Sequence, residues 1–231
     1  MPLAVITGAS RGLGAALAHA LVLRGWDLVV DARDAAALDA AVGRRTLAVA
    51  GDVTDPAHRL RLVAAAAERG GAALLVNNAS TLGASPQPAL AGLGDDVLSD
   101  VLTTNVLAPH ALTRDLLPQL LAHRGCVINI SSDAAVGAYE GWGAYGASKA
   151  ALDHLTRVLA TEQPTLRVYA VDPGDMRTRM QQDAFPGEDI SDRPEPAAVV
   201  PRLLSLLDGV LPSGRYRAAD LGSDHLEGSP A

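Results

Sequence analysis

Short apolar runs alternate along the chain with longer stretches of helical periodicity. Residues 3–7, 28–30, 47–50, 74–76, 127–130 and 168–171 have the length and residue type of buried strands, and residues 216–221 form a seventh candidate. Between them, Leu13, Leu17, Ala20 and Leu21, and later Leu152, Leu155, Val158 and Leu159, recur at a spacing that suits one helix face. Strands separated by helices predict βαβ units with right-handed crossovers. The expected fold is therefore α/β: a doubly wound parallel sheet of about seven strands, covered on both faces in three layers.

No linker interrupts this pattern, so residues 1–231 are expected to form a single domain. The richest turn clusters, 83–94 and 173–196, each follow a predicted strand, where open α/β sheets place their ligand crevice. The second cluster contains Met176, Met180 and Phe185, and residues 175–196 are read as a substrate loop. The polar tail at 222–231 is expected to be loose.

Composition narrows the range of partners. The chain of 231 residues is 48% hydrophobic and 19% charged, which excludes disorder, and its net charge is −7. Without a basic block, nucleic-acid binding is not the expected task, because a phosphate backbone demands clustered Lys and Arg. No apolar run approaches the roughly 18 residues that cross a bilayer, so no membrane association is expected. Residues 3–7 carry no charged segment ahead of them and read as a strand of the fold. One cysteine, Cys126, permits no internal disulfide and suits a reducing, cytoplasmic setting. The expected partner is a small molecule or another protein.

Three motifs carry chemistry. The first strand runs into Thr7-Gly8-Ala9-Ser10-Arg11-Gly12-Leu13-Gly14 and then a helix. Glycines at such a turn let the backbone approach a pyrophosphate, whose charge the helix N-terminus favours. Tyr145 and Lys149, four apart at the start of a helical stretch, share one face. A free phenol titrates near ~10, and a fixed cation beside it would lower that value. Lys149 is the single lysine against eighteen arginines, so this position is where a compact ammonium rather than a guanidinium is wanted. The third motif is Ser131-Ser132, at the end of the strand 127–130 and thirteen positions before Tyr145.

The ordered set resembles the short-chain dehydrogenase/reductase family over nearly the whole chain. Its counterparts run from the glycine turn through Asp52-Val53, Asn77-Asn78-Ala79, Asn105, Ser132, Tyr145 and Lys149 to Pro173-Gly174 and Thr178. The resemblance implies a Rossmann fold and an oxidoreductase that interconverts a ketone or aldehyde and its alcohol. It implies that Tyr145 is the general acid or base, that Ser132 holds the carbonyl oxygen, and that Lys149 lowers the tyrosine pKa and binds the nicotinamide ribose. Asn105 would hold a water that relays protons to the lysine. Cofactor contacts are implied for Gly8, Ser10, Arg11, Gly12, Leu13, Gly14, Arg33, Asp52, Val53, Asn78, Ala79, Tyr145, Lys149, Pro173, Gly174 and Thr178.

Ser80 stands where the family usually has glycine. After the second strand, Asp31-Ala32-Arg33 puts Ala32 in the slot where an acid would select NAD and Arg33 where a cation would take the 2′-phosphate of NADP. With Arg11 as a second cation, NADP is the expected cofactor, and a one-residue change of register would bring Asp31 into the selecting slot and favour NAD. The expected activity is NADPH-dependent carbonyl reduction. A non-catalytic NADP-binding regulator of the same fold is the alternative, which would not need Ser132, Tyr145 and Lys149 together. Tyr139, without a lysine partner, and Trp142 and Phe185 are read as pocket wall or packing. His110, His123 and His154 have no metal-ligand partners, and no metal is expected. Helices around 106–121 and 150–159 are apolar on more than one face, which suits a homodimer or homotetramer.

Overall fold

The computed structural model of the chain describes residues 1–41, 45–209 and 211–222; the tail expected to be loose lies, from residue 223 on, outside the described residues. Seven strands form one parallel sheet: β1 (Leu3–Ile6), β2 (Asp27–Ala32), β3 (Thr46–Ala50), β4 (Ala72–Asn77), β5 (Cys126–Ile130), β6 (Arg167–Asp172) and β7 (Gly214–Arg217). Their order is β3-β2-β1-β4-β5-β6-β7, and every pairing is parallel. The connecting helices are α1 (Gly12–Leu23), α2 (Ala35–Ala41), α3 (Pro56–Glu68), α4 (Asp95–Leu102), α5 (Ala108–Ala122), α6 (Gly143–Glu162), α7 (Arg179–Ala184) and α8 (Pro196–Leu204).

The strand alternation explains the layers. Ala4, Ile6, Leu28, Val30, Leu74, Val76, Ile128 and Val171 point to one face, where they meet Leu13, Leu17 and Leu21 of α1 and Val200 and Leu203 of α8. Leu3, Val5, Val29, Leu75, Val127 and Val168 point to the other, against Leu62 of α3 and Leu112, Leu116 and Leu120 of α5. Burying each Val, Leu or Ile of these faces stabilises the fold by roughly 1.5–3 kcal/mol. Among the described residues no helix is long and apolar enough to cross a membrane.

The strand order reverses between β1 and β4, which opens a crevice at their carboxyl ends. Beneath it, buried polar residues collect on the α3 and α5 side of the sheet. Asn77 donates to Asn129 Oδ1 (2.7 Å) and Thr113 Oγ1 (3.1 Å), and Asn129 donates to Thr156 Oγ1 (2.8 Å). This buried ladder ties β4 and β5 to α5 and α6.

Two local features depart from the sequence pattern. The last strand is Gly214–Arg217, not 216–221. Beyond it the chain closes into a 3₁₀ turn, Ala218–Asp220, because Ala218 and Leu221 bury against the α8 side instead of continuing an edge strand. The segment 175–196 is not all loop, since Thr178 caps the short helix α7 by accepting from the Gln181 N–H (3.2 Å).

Candidate active site

The glycine turn lies at the crevice. Gly8 takes φ +68°, and a Cβ on it would lie 2.9 Å from Ala79 Cα; a Cβ on Gly14 would lie 2.4 Å from the Gly8 carbonyl oxygen and 2.5 Å from Asn78 Nδ2. Only bare backbone fits, which brings the start of α1 close under the turn. Arg11, the N-cap of that helix, makes no side-chain cap bond, so the first N–H groups of α1 are not capped by a side chain. Asn78 closes the cradle from β4, donating to the carbonyl oxygens of Thr7 (2.9 Å) and Gly8 (3.1 Å), while Thr7 Oγ1 accepts from the N–H groups of Asn78 and Ala79 (both 3.0 Å). Thr178 arrives from the far side of the crevice, its methyl 3.6 Å from where a Gly12 Cβ would stand. The turn, the β4 end and Thr178 thus converge as the sequence motifs imply, whereas Asn77 faces the buried ladder and does not reach the crevice.

Register decides what the end of β2 presents. Asp31 pairs with Val49 and Ala32 with Ala50, and Asp31 is 2% exposed. Its carboxylate turns toward α3, accepting from the Gly8 N–H (2.8 Å) and lying 3.0 Å from His58 Nε2. Arg33 and Arg11 are exposed and join no ion pair within 4.0 Å among the described residues. Asp52 sits near Arg33 after β3. Burial works to raise its pKa, but hydrogen bonds from the Thr54 N–H and hydroxyl, together with the charge of Arg33, hold the carboxyl below its usual range.

Across the crevice, α6 places Tyr145 and Lys149 one turn apart, both buried. Lys149 Nζ donates to the Ile130 carbonyl oxygen (2.7 Å) and lies 5.4 Å from the centre of the Tyr145 ring. Burial pushes the ammonium down to about 8, partly offset by Asp153. Burial also pushes the Tyr145 phenol up to about 12, while the hydroxyls of Ser132 and Ser80, which face it, work in the opposite direction. The net shift of the phenol is upward, with burial its largest cause.

Ser132 accepts from the Ala134 N–H (3.1 Å) and donates to Asp133 Oδ1 (3.0 Å); Tyr139 donates to the other Asp133 oxygen (2.9 Å). Asn105 lies in a π turn, Thr103–Leu107, between α4 and α5, the kind of bulge that redirects a side chain. It accepts from Ser80 Oγ (3.1 Å) and the Thr81 N–H (2.9 Å) and donates to the Thr81 carbonyl (2.9 Å) and Ser148 Oγ (3.0 Å). Its amide thus braces the loop after β4 against α6 and makes no direct bond to Lys149. Trp142 meets the Tyr145 ring edge-on at 5.6 Å and Phe185 at 5.8 Å, building an aromatic wall. Tyr139 is half exposed at the rim.

Sequence reasoning missed four participants. Ser80 appeared only as a departure from glycine, although its hydroxyl links Asn105 to Tyr145. Asp133 and His58 carried no signal of their own. Arg215 comes from 83 positions beyond Ser132, where it donates to that residue's carbonyl oxygen (2.9 Å) and to Asp153 (2.8 Å), pinning β7 to the site.

Comparison with known proteins agrees with this fold. Residues 2–189 match the family model for short chain dehydrogenase. The chain is 36% identical over 230 residues to an uncharacterized oxidoreductase of Mycobacterium tuberculosis, covering 95% of this chain and 86% of that protein. It is 34% identical to sepiapterin reductase of Xenopus laevis over 200 residues, 79% and 76% of the two chains. In structure it resembles a short chain dehydrogenase of Shigella flexneri in complex with NADP, with a TM-score of 0.88, 29% identity, and 94% and 97% of the two chains covered. With its Rossmann-like sheet and this continuous similarity, the chain belongs to the short-chain dehydrogenase family of oxidoreductases.

Proposed function

We propose that this protein is an NADPH-dependent carbonyl reductase, taking a ketone or aldehyde to its alcohol. The observation that carries the reading is the buried Tyr145 phenol, faced by the Ser132 and Ser80 hydroxyls and with the Lys149 ammonium 5.4 Å from its ring centre. A phenol held at about 12 is an acid waiting for a stronger base, and the oxygen of a carbonyl under reduction becomes one. Tyr145 donates its proton to that oxygen, and the Ser132 hydroxyl, turned from Asp133, donates a hydrogen bond as negative charge develops there. Lys149 offsets the charge left on the phenolate. Asn105 keeps the Ser80 loop and α6 in register, and its π turn is the proposed seat of a water that passes protons toward Lys149. Trp142 and Phe185 exclude water and favour a substrate with an apolar body.

The turn of Gly8, Gly12 and Gly14 suits a pyrophosphate, since bare Gly8 and Gly14 let it pack tightly on the β4 end and the start of α1, whose first N–H groups carry no side-chain cap. When bound, a nicotinamide dinucleotide supplies the hydride. Ser10, Leu13, Asn78, Ala79, Asp52, Val53, Pro173, Gly174 and Thr178 would hold it, with the Lys149 ammonium at the ribose. Preference for NADP is supported by exposed Arg11 and Arg33 and by Asp31, which is spent on Gly8 and His58 rather than offered to a ribose. Residues 175–196, with α7, are the proposed substrate loop. Exposed Leu107, at the N-cap of α5, and Leu155 and Val158 of α6 support assembly as a homodimer or homotetramer.

Titration with NADPH and NADH, read by quenching of tryptophan fluorescence, followed by a panel of ketones and aldehydes with NADPH loss as the signal, tests the proposal. NADPH is expected to bind more tightly, with the preference lost in Arg33→Ala, and at least one carbonyl class to be turned over. Tighter NADH binding overturns the cofactor assignment, and NADPH binding without turnover across the panel overturns the reductase.

A further inference from the structure

A buried polar chain beneath the glycine turn has no part in the chemistry described above. His58 of α3 is 0% exposed and Asp31 2% exposed. Arg61 Nη2 lies 3.1 Å from His58 Nδ1, and His58 Nε2 lies 3.0 Å from Asp31 Oδ2. A guanidinium only donates, so Nδ1 must accept. The proton of a neutral imidazole is thereby fixed on Nε2, and it is given to Asp31. The second carboxylate oxygen accepts the Gly8 N–H (2.8 Å), and the Asp31 main-chain oxygen accepts the Ala9 N–H (2.8 Å). The chain of donors therefore runs from an exposed arginine on α3, through a buried ring, to the two peptide groups that open the turn. Gly51 makes room for it: a Cβ there would lie 2.3 Å from His58 Nδ1.

A carboxylate under an anion-binding turn is electrostatically adverse unless its charge is spent on donors. Here both oxygens are spent, and the Arg61 cation stands behind the imidazole. We propose that Arg61, His58 and Asp31 are positioning residues that fix the glycine turn in its phosphate-receiving shape and so set cofactor affinity. This rests on reading residues 7–14 as the pyrophosphate cradle.

The full-length protein and its His58→Ala, His58→Gln and Arg61→Met variants are compared by NADPH titration, by steady-state kinetics, and by amide hydrogen exchange of residues 7–14 without cofactor. At metal sites, outer partners that orient a ligating group commonly change affinity by about 10- to 100-fold, and the same scale is taken for this turn. His58→Ala is expected to weaken NADPH binding about tenfold at the lower end of that range and to speed exchange in the turn. His58→Gln, whose amide donates to Asp31 and accepts from Arg61, is expected to restore most of both. The loss falls on the dissociation constant and KM for NADPH, with kcat at saturation changed less than about twofold. Should His58→Ala fail to fold, Arg61→Met, altered at an exposed position, must show the same loss in weaker form. Folded variants with unchanged affinity and unchanged turn exchange overturn the proposal. If the parent binds neither NADPH nor NADH, the cradle reading fails. Exchange then still decides whether the network holds the turn.

Discussion

Lys149 sets stability against function, and replacing it with methionine separates the two. Burial moves the ammonium from its ordinary 10.5 to about 8. Each tenfold change in proton affinity is about 1.4 kcal/mol, so keeping this group charged at neutral pH costs the fold roughly 3 kcal/mol. Methionine removes that cost and forfeits the hydrogen bond to the Ile130 carbonyl, about 1–2 kcal/mol. Lys149→Met is therefore expected to be more stable than the parent by about 1–2 kcal/mol at pH 7, roughly 3–6 °C in Tm for a chain of this size. The pH dependence gives the sign. Because the folded pKa lies below the unfolded one, the unfolded chain binds more protons between about pH 8 and 10.5, and the parent gains stability as pH rises through that window. The variant has no such gain, so its advantage is full below pH 8 and reversed by about pH 10. Thermal or urea melts of both cofactor-free proteins, stepped across that range, measure the gap. A gap that does not change with pH, or a variant less stable than the parent at pH 7, refutes the reasoning. The stabilised variant is expected to have lost carbonyl turnover.

Gly14→Ala forces a Cβ to within 2.4 Å of the Gly8 carbonyl oxygen, so α1 must back away from the turn. We expect a stability loss of about 1–3 kcal/mol by melting and a still larger loss of NADPH affinity by fluorescence titration. Ser80→Gly removes a hydroxyl that faces Tyr145 and works to lower its pKa. The turnover of a carbonyl substrate is expected to fall near tenfold for one lost hydrogen bond, with NADPH affinity unchanged by fluorescence titration. Parental turnover contradicts that role.

The βαβ pattern was legible because it depends on period and run length, and all seven strands fall on or beside the predicted runs. The edge strand β7 was misplaced since Ala218 and Leu221 are apolar for a turn that packs on α8, and periodicity cannot tell such a turn from a strand end. Tyr145, Lys149 and Ser132 were legible because each is set by local spacing. Asp31 shows the limit. Whether it faces a ribose or α3 depends on strand register, and its true partner, His58, lies 27 positions away with no motif joining them. Ser80 and Asp133 were hidden for a related reason, because their roles come from hydroxyl and carboxylate geometry at the ends of strands from separate βαβ units. The phenol's rise to about 12 is likewise a property of burial, which a Tyr and Lys four apart do not reveal.

The most direct test of the account is Tyr145→Phe, which removes one oxygen and leaves the ring against Trp142. The variant is expected to bind NADPH as the parent does and to lose turnover of the best carbonyl substrate by about 10²- to 10⁴-fold. Turnover at the parental rate with intact NADPH binding would contradict the assignment of Tyr145 as the acid.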